Sequence, residues 1–293
     1  MAPNPTSTSS LSALTARKTW RTAEPLHSMI YFAPEAAESY ARLGIRSEAG
    51  YFASRSAPMG AVGAETVIAT FYNFRPELVR RAMADVWSTA APGAVLEARL
   101  EAADTSLRRM LGEAVDSPEM KRVAHLLRSA AERAGEQCVG RPLFAGHAGL
   151  EWPEAPHVVA WHAQTLLREF RGDGHIAALV IHDLDAVEAL VMHVASGEVP
   201  EAFLRSTRGW SDVEWEAGVA RLRERGWVEL PAGDDSALAL SEAGAAVRQE
   251  IEDVTDRLSV FPYETLGEEA CAELRTTVRP FSRTVVGAAG FGT

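Results

Sequence analysis

Two cysteines in 293 residues, Cys138 and Cys271, are too few for a disulfide framework or a multi-cysteine metal knot. No uninterrupted apolar run reaches the roughly 18 residues of a membrane span. Positive charge is also in short supply. Lys and Arg together number 29 against 40 Asp and Glu, giving a formal net charge of −11, whereas a nucleic-acid binder usually presents a basic face. The familiar catalytic signatures are missing too: there is no GxSxG, P-loop, GxGxxG, HExxH or CxxC, and Gly172-Asp173-Gly174 is too short to cradle a dinucleotide. His175, His182 and His193 do not form a three-ligand pattern, so no metal is expected. A single histidine can ligate haem, but nothing in the sequence argues for it, and the cofactor stays unassigned. Together these absences describe a cytoplasmic protein that does not cross a membrane.

What is present suits a globular chain, 47% hydrophobic and 24% charged, long enough for one large or two medium domains. Residues 1–13 are rich in Ser, Thr and Pro and read as a disordered tail. Beyond them the helical signals are frequent. Pro34, Pro76 and Pro118 each stand where a helix should begin, because the first turn needs no amide hydrogen from its leading residue. A helix over 15–24 leads into Pro25, and Gly44 is a natural stop.

Landmarks then recur in the same order roughly 120 residues later, a period that means two domain copies rather than a solenoid. Pro25-Leu26-His27 is echoed by Pro142-Leu143-Phe144, and Pro34-Glu35 by Pro153-Glu154. Arg55 is echoed by Arg171, Pro76-Glu77 by Pro200-Glu201, and Trp87-Ser88 by Trp210-Ser211. The expectation is an internal duplication with halves at 14–140 and 141–288, fused as an intramolecular pseudodimer that acts as a monomer or pairs as a homodimer.

The second copy is the more legible. Helices are expected over 184–194 and 200–207, then a third from Asp212 to Arg225 capped by Ser211, with Trp215, Val219 and Leu222 at helical spacing. A wing at 227–240 follows, its turn at Pro231-Ala232-Gly233-Asp234-Asp235, and a long helix opens at Ser241-Glu242-Ala243-Gly244. Ala220-Arg221-Leu222-Arg223-Glu224-Arg225-Gly226-Trp227-Val228-Glu229, followed by Ala239-Leu240-Ser241-Glu242-Ala243-Gly244, resembles the recognition helix, wing and following helix start of MarR-type regulators. The whole chain is also similar to an actinobacterial family of helix-turn-helix proteins. These resemblances imply a mainly α fold of two tandem winged-helix-like halves, the first degenerate, with a small β-wing in the second. The MarR-type resemblance implies, as the alternative function, a ligand-responsive transcriptional regulator that binds DNA; the wider family likeness implies the fold and no mechanism.

The residues themselves pull away from DNA. The exposed start of the reading helix, Ser211-Asp212-Val213-Glu214-Trp215-Glu216, sets three carboxylates against the phosphates that supply most of the affinity. The wing tip carries Asp234 and Asp235. A DNA contact would fall to Ser211, Arg221, Arg223 and Arg225.

A small-molecule ligand bound between the halves is the leading expectation, because pockets favour domain boundaries. The densest chemistry lies in Trp161–His175, read as a helix that ends in a glycine loop. Arg168 and Arg171, three apart, are candidates for an anion clamp joined by Glu169. Asp173 would orient His175 as an acid/base group, with His27 facing it from the first copy. Arg55, Tyr31, Trp161 and His162 complete the candidate ligand contacts. A capping and salt-bridge network at the junction would use the same residues without any chemistry.

Overall fold

The computed structural model describes residues 11–230 and 238–289. The expected tail falls mostly outside them, and so does the wing turn with Asp234 and Asp235. The first part of the chain is helical throughout: α1 (Ala13–Ser28), α2 (Pro34–Arg42), α3 (Ser47–Ser56), α4 (Ala64–Phe71), α5 (Pro76–Met83), α6 (Val86–Thr89), α7 (Pro92–Leu111), α8 (Pro118–Ala134) and α9 (Pro142–Ala148). Proline opens α2, α5, α7, α8 and α9, as its preset φ and missing N–H favour. Pro25 does not end the first helix; it lies in the last turn of α1. Among the described residues before 140 there is no strand.

The central element is α10 (Pro156–Ile181), a single helix of 26 residues. Its length overturns the expectation of a helix followed by a glycine loop at 172–174. Neither glycine has a positive φ. Gly174 is there for contact: a β-carbon on it would lie 3.0 Å from Arg141 Nη1 and 3.3 Å from Leu258 Cβ. The glycine admits a close neighbour, and the helix runs on through it.

After α10 come α11 (Ala186–Ala195), α12 (Glu201–Arg208) and α13 (Asp212–Glu224), the hairpin of β1 (Val228–Glu229) and β2 (Ala239–Leu240), and α14 (Glu242–Leu258). The strands pair antiparallel, Val228 opposite Leu240. Local chemistry fixes this unit. Asp185 and Ser211 each form a capping box with the glutamate three residues on, Glu188 and Glu214, a device that contributes about 1 kcal/mol per helix start. Gly244 lets the start of α14 pass the wing, since a β-carbon there would overlap the Trp227 carbonyl. The short α15 (Phe261–Glu264) and α16 (Gly267–Ala289) close the chain. α16 returns to α1, where Ser282 Oγ donates to the Thr22 carbonyl and Arg275 to the Thr19 hydroxyl.

The apolar side chains separate into two cores. One joins residues before 140 to most of α10 and to α16, through Leu26, Leu127, Phe144, Phe170 and Leu274 among others. The second contains Leu190, Val191, Trp215, Leu222 and Ile251. α10 belongs to both, through Phe170 in the first and Ala178 and Leu179 in the second. The chain is therefore a helical body with a three-helix, winged unit mounted on the far end of its central helix. No helix among the described residues is long and apolar enough to cross a membrane.

Candidate functional site

A cavity of about 620 Å³ lies where body and winged unit meet, walled by α1, α3, α4, α10, α11 and α14. Arg55, Arg168, Glu169, Arg171, Asp173 and His175 all line it, and so do Pro25 and Leu143. The paired landmarks Arg55 and Arg171 thus face one space. Most of the candidate residues on α10 are placed together by helical spacing alone, since residues three and four apart share a face.

Their hydrogen bonds are largely internal. Arg55 clasps Glu169 with Nε at 3.3 Å and Nη2 at 3.0 and 2.9 Å from the carboxylate oxygens, and its Nη1 donates to the Tyr51 hydroxyl at 2.7 Å. Burial alone would raise the Glu169 pKa; Arg55 and then Arg168 outweigh it and hold the carboxyl at about 2. Arg168 also pairs with Glu24 at 2.8 Å. Arg171 is bound by Asp256 at 2.7 Å and Glu252 at 3.1 Å. The expected anion clamp of Arg168 and Arg171 is therefore already neutralised by the chain's own carboxylates, each arginine by a different set.

Asp173 does not orient His175. Its carboxylate accepts the Phe144 amide at 2.9 Å, which caps the start of α9. Burial pushes its pKa up to about 6, against the pull of that bond. A carboxyl in this range exchanges protons near neutral pH. His175 instead meets the Thr255 hydroxyl on α14 at 3.0 Å, and burial holds its pKa down at about 4, so the ring is neutral.

His27 and its neighbours lie behind the cavity wall, in the body's core. Thr165 Oγ1 donates to the Trp161 carbonyl at 2.9 Å, so it accepts from His27 Nδ1 at 2.7 Å. That leaves His27 Nε2 to accept the Tyr31 hydroxyl at 2.8 Å. Both nitrogens are used, and burial drives the pKa well below its usual value. His27 does not face His175. Trp161 and His162, 3% and 4% exposed, are also core residues. The Arg99 guanidinium lies 5.1 Å above the Trp161 ring, and Trp152 meets His162 edge-on. Tyr31 touches the site only indirectly, its ring 5.2 Å from that of Tyr51.

Several lining residues went unread in the sequence. Tyr51, Phe71 and Phe74 form an aromatic wall with centroids 5.4–6.5 Å apart. Arg208, at the end of α12, lies 4.6 Å over the Phe74 ring. Arg248 and Glu252 enter from α14. None carries a motif, and an arginine in a last helical turn reads as an ordinary dipole partner.

Three of the four expected DNA-contacting residues are engaged elsewhere. Ser211 is used up in its capping box. Arg221 binds Asp185 and Glu188, and Arg225 donates to the carbonyls of Asp183 and His182. Arg223 is exposed. The start of α13 is docked on the body: Arg75 pairs with Glu214 at 3.1 Å, and Trp210 Nε1 donates to the Asn73 carbonyl at 3.0 Å.

Fold and site together define a helical protein that carries a helix-turn-helix unit with a junctional cavity. The chain belongs to a helix-turn-helix family, whose model matches residues 16–292. No curated protein and no solved structure matches it.

Proposed function

We propose that this chain binds a small molecule in the cavity between the helical body and the winged unit. The observation that carries the proposal is the cavity itself: about 620 Å³, the size of an ordinary ligand site, with ionisable groups from both parts of the chain around it. Arg55, Arg168, Glu169, Arg171, Asp173 and His175 are part of its polar lining, and Asp173 is the group suited to acid/base work, its pKa near 6. The internal duplication is part of the same proposal, supported by the meeting of Arg55 with Arg171 and of Pro25 with Leu143 around one space. Native mass spectrometry and the absorption spectrum of the protein as purified test it. A retained small molecule, or a mass increment lost on denaturation, is expected. A protein that retains nothing and is stabilised by no small molecule would falsify it.

A second reading, a ligand-responsive regulator of the MarR type, is favoured by family membership and by the exposed Arg223. Against it stand Asp212, Glu214 and Glu216 at the start of α13 and the docking of that end on Arg75. Retention on DNA at low salt, lost steeply as salt rises, is its requirement. A protein that ignores DNA at low salt removes it.

A further inference from the structure

We infer that the junctional cavity takes an organic anion, a carboxylate or phosphate monoester with an apolar body, whose charged group pairs with Arg208. The inference rests on the ligand-binding reading above and adds the ligand's chemical class. Seven arginines line the cavity against five carboxylates. Most of those arginines are paired. Arg55 and Arg168 are held by Glu169 and Glu24, Arg17 and Arg171 by Glu252 and Asp256, and Arg248 by Glu198. Arg21 is exposed to water.

Arg208 is different. It is only partly exposed, and among the described residues no carboxylate pairs with it. Its Nη1 donates to the Thr207 hydroxyl at 2.8 Å, while its Nε is buried without a partner. Burial lowers its affinity for its own proton, Tyr51 partly offsets this, and Arg55 and Arg168 nearby lower it further. An arginine does not shed that proton at any ordinary pH. A half-buried guanidinium near two others calls for an anion, and the described residues supply none.

The surroundings specify the rest of the molecule. Phe74 backs the guanidinium at 4.6 Å, and Phe71 and Tyr51 continue the aromatic wall. Ile176, Leu179 and Leu190 add an aliphatic part to the lining. A planar anion with a flat hydrocarbon body matches both surfaces, since guanidinium recognises carboxylate and phosphate by charge and shape.

The test uses the full chain and four compounds of similar size: benzoate, phenyl phosphate, benzyl alcohol and benzylamine. Thermal shift and calorimetry should show that benzoate or phenyl phosphate binds and the neutral and cationic compounds do not. The variant Arg208→Met should weaken the anion about tenfold or more, the loss of one charge-assisted pair, while Arg208→Lys keeps part of the affinity. Without ligand, Arg208→Met should be as stable as the parent or more so, because it removes an uncompensated charge. Loss of stability in Arg208→Met with anion binding intact makes Arg208 structural and overturns the inference. Equal binding of benzyl alcohol, unaffected by Arg208→Met, overturns the anion class but leaves ligand binding standing. Binding of none of the four, with nothing retained through purification, overturns both.

Discussion

Replacing Glu169 with glutamine removes one negative charge from the best-buried ion pair among the described residues. The carboxylate is 2% exposed and Arg55 8%. Glu169 is held at about 2 in the folded chain against an ordinary 4.5. At about 1.4 kcal/mol per pH unit, the carboxylate contributes roughly 3 kcal/mol at neutral pH. Removing one partner of such a pair typically costs about 3–5 kcal/mol, because the remaining charge is left uncompensated. Glu169→Gln is therefore expected to lose about 3 kcal/mol in urea unfolding at pH 7, and its melting temperature should fall by about 6–12 °C. The sign with pH follows from the lowered pKa: the contribution is complete above pH 4.5 and disappears as pH falls towards 2. The gap between parent and variant should thus be constant from pH 7 to 5.5 and close below 4.5. The double variant Arg55→Met with Glu169→Gln should be less damaging than the two single effects combined, since the orphaned charge has gone. A loss under about 1 kcal/mol at pH 7, or strict additivity, refutes the account of the pair.

Three further outcomes follow from the same geometry. Gly172→Ala should gain up to about 1 kcal/mol of helix stability, because its new methyl meets only Glu169 Oε2 at 3.6 Å, whereas Gly174→Ala must displace Arg141 or Leu258 and should be destabilising. Two equal losses in denaturant unfolding would contradict a continuous α10. Asp173→Asn keeps an acceptor for the Phe144 amide and removes a carboxyl whose pKa is raised to about 6 from 3.8. A raised carboxyl pKa penalises the fold above pH 6 and is relieved towards pH 4, so the variant should match or exceed the parent at pH 8 and lose that advantage at pH 4. A clear deficit at pH 8 in thermal melts contradicts this. The buried histidines act in the opposite direction. His162 and His175 are held at about 4, and His27 and His147 are also lowered by burial. Their stabilisation is complete above pH 6.5 and lost as pH falls towards 4, at about 1.4 kcal/mol per pH unit for each proton taken up. They outnumber Asp173, so the melting temperature should decline from pH 6.5 to 4.5, and a flat profile would count against their neutrality.

The helix starts were legible because their signals are local. Ser117 and Ser211 cap as their sequence context implies, and proline opens α2, α5 and α8. The winged unit was legible for the same reason. The failure at Gly172 and Gly174 has a specific cause: glycine ends a helix where φ must turn positive, but also permits close packing inside one, and sequence does not separate the two. The cavity-facing residues of α10 were legible as a cluster and misread in their roles. Asp173 is two residues from His175, yet it reaches back to α9 and leaves the histidine to Thr255 on α14. Partners from Asp256 or Glu252, some 80 residues away along the chain, have no local trace. His27 looked like a site residue because its bonds to Thr165 and Tyr31 are long-range or helical contacts that only the fold reveals.

One corner of the winged unit links the cavity to the end of α13. Arg208 reaches over the cavity, its carbonyl accepts the Arg75 amide at 3.0 Å, and the next residue, Gly209, has a φ of 78°. A β-carbon on Gly209 would lie 3.0 Å from Leu78 Cδ2. Three residues later α13 begins at Asp212, with Glu214 on Arg75. The contact that positions Arg208 over the aromatic wall thus adjoins the one that tethers the start of α13 to the body through Trp210 and Glu214, while Ser211, Asp212 and Val213 stay exposed. Gly209→Ala probes that linkage. It carries the cost of a left-handed backbone, about 1 kcal/mol, plus the displacement of Leu78, and should loosen the corner. Anion affinity should fall while the body remains folded, which far-ultraviolet circular dichroism and the melting profile can verify. Low-salt DNA retention measured in parallel then decides what the corner is for. If retention appears only in Gly209→Ala, the tether to the body restrains a working reading helix; if it is absent from both proteins, the acidic start of α13 disables the helix by itself. Unchanged anion binding in a visibly loosened variant would sever Arg208 from the corner and defeat the linkage.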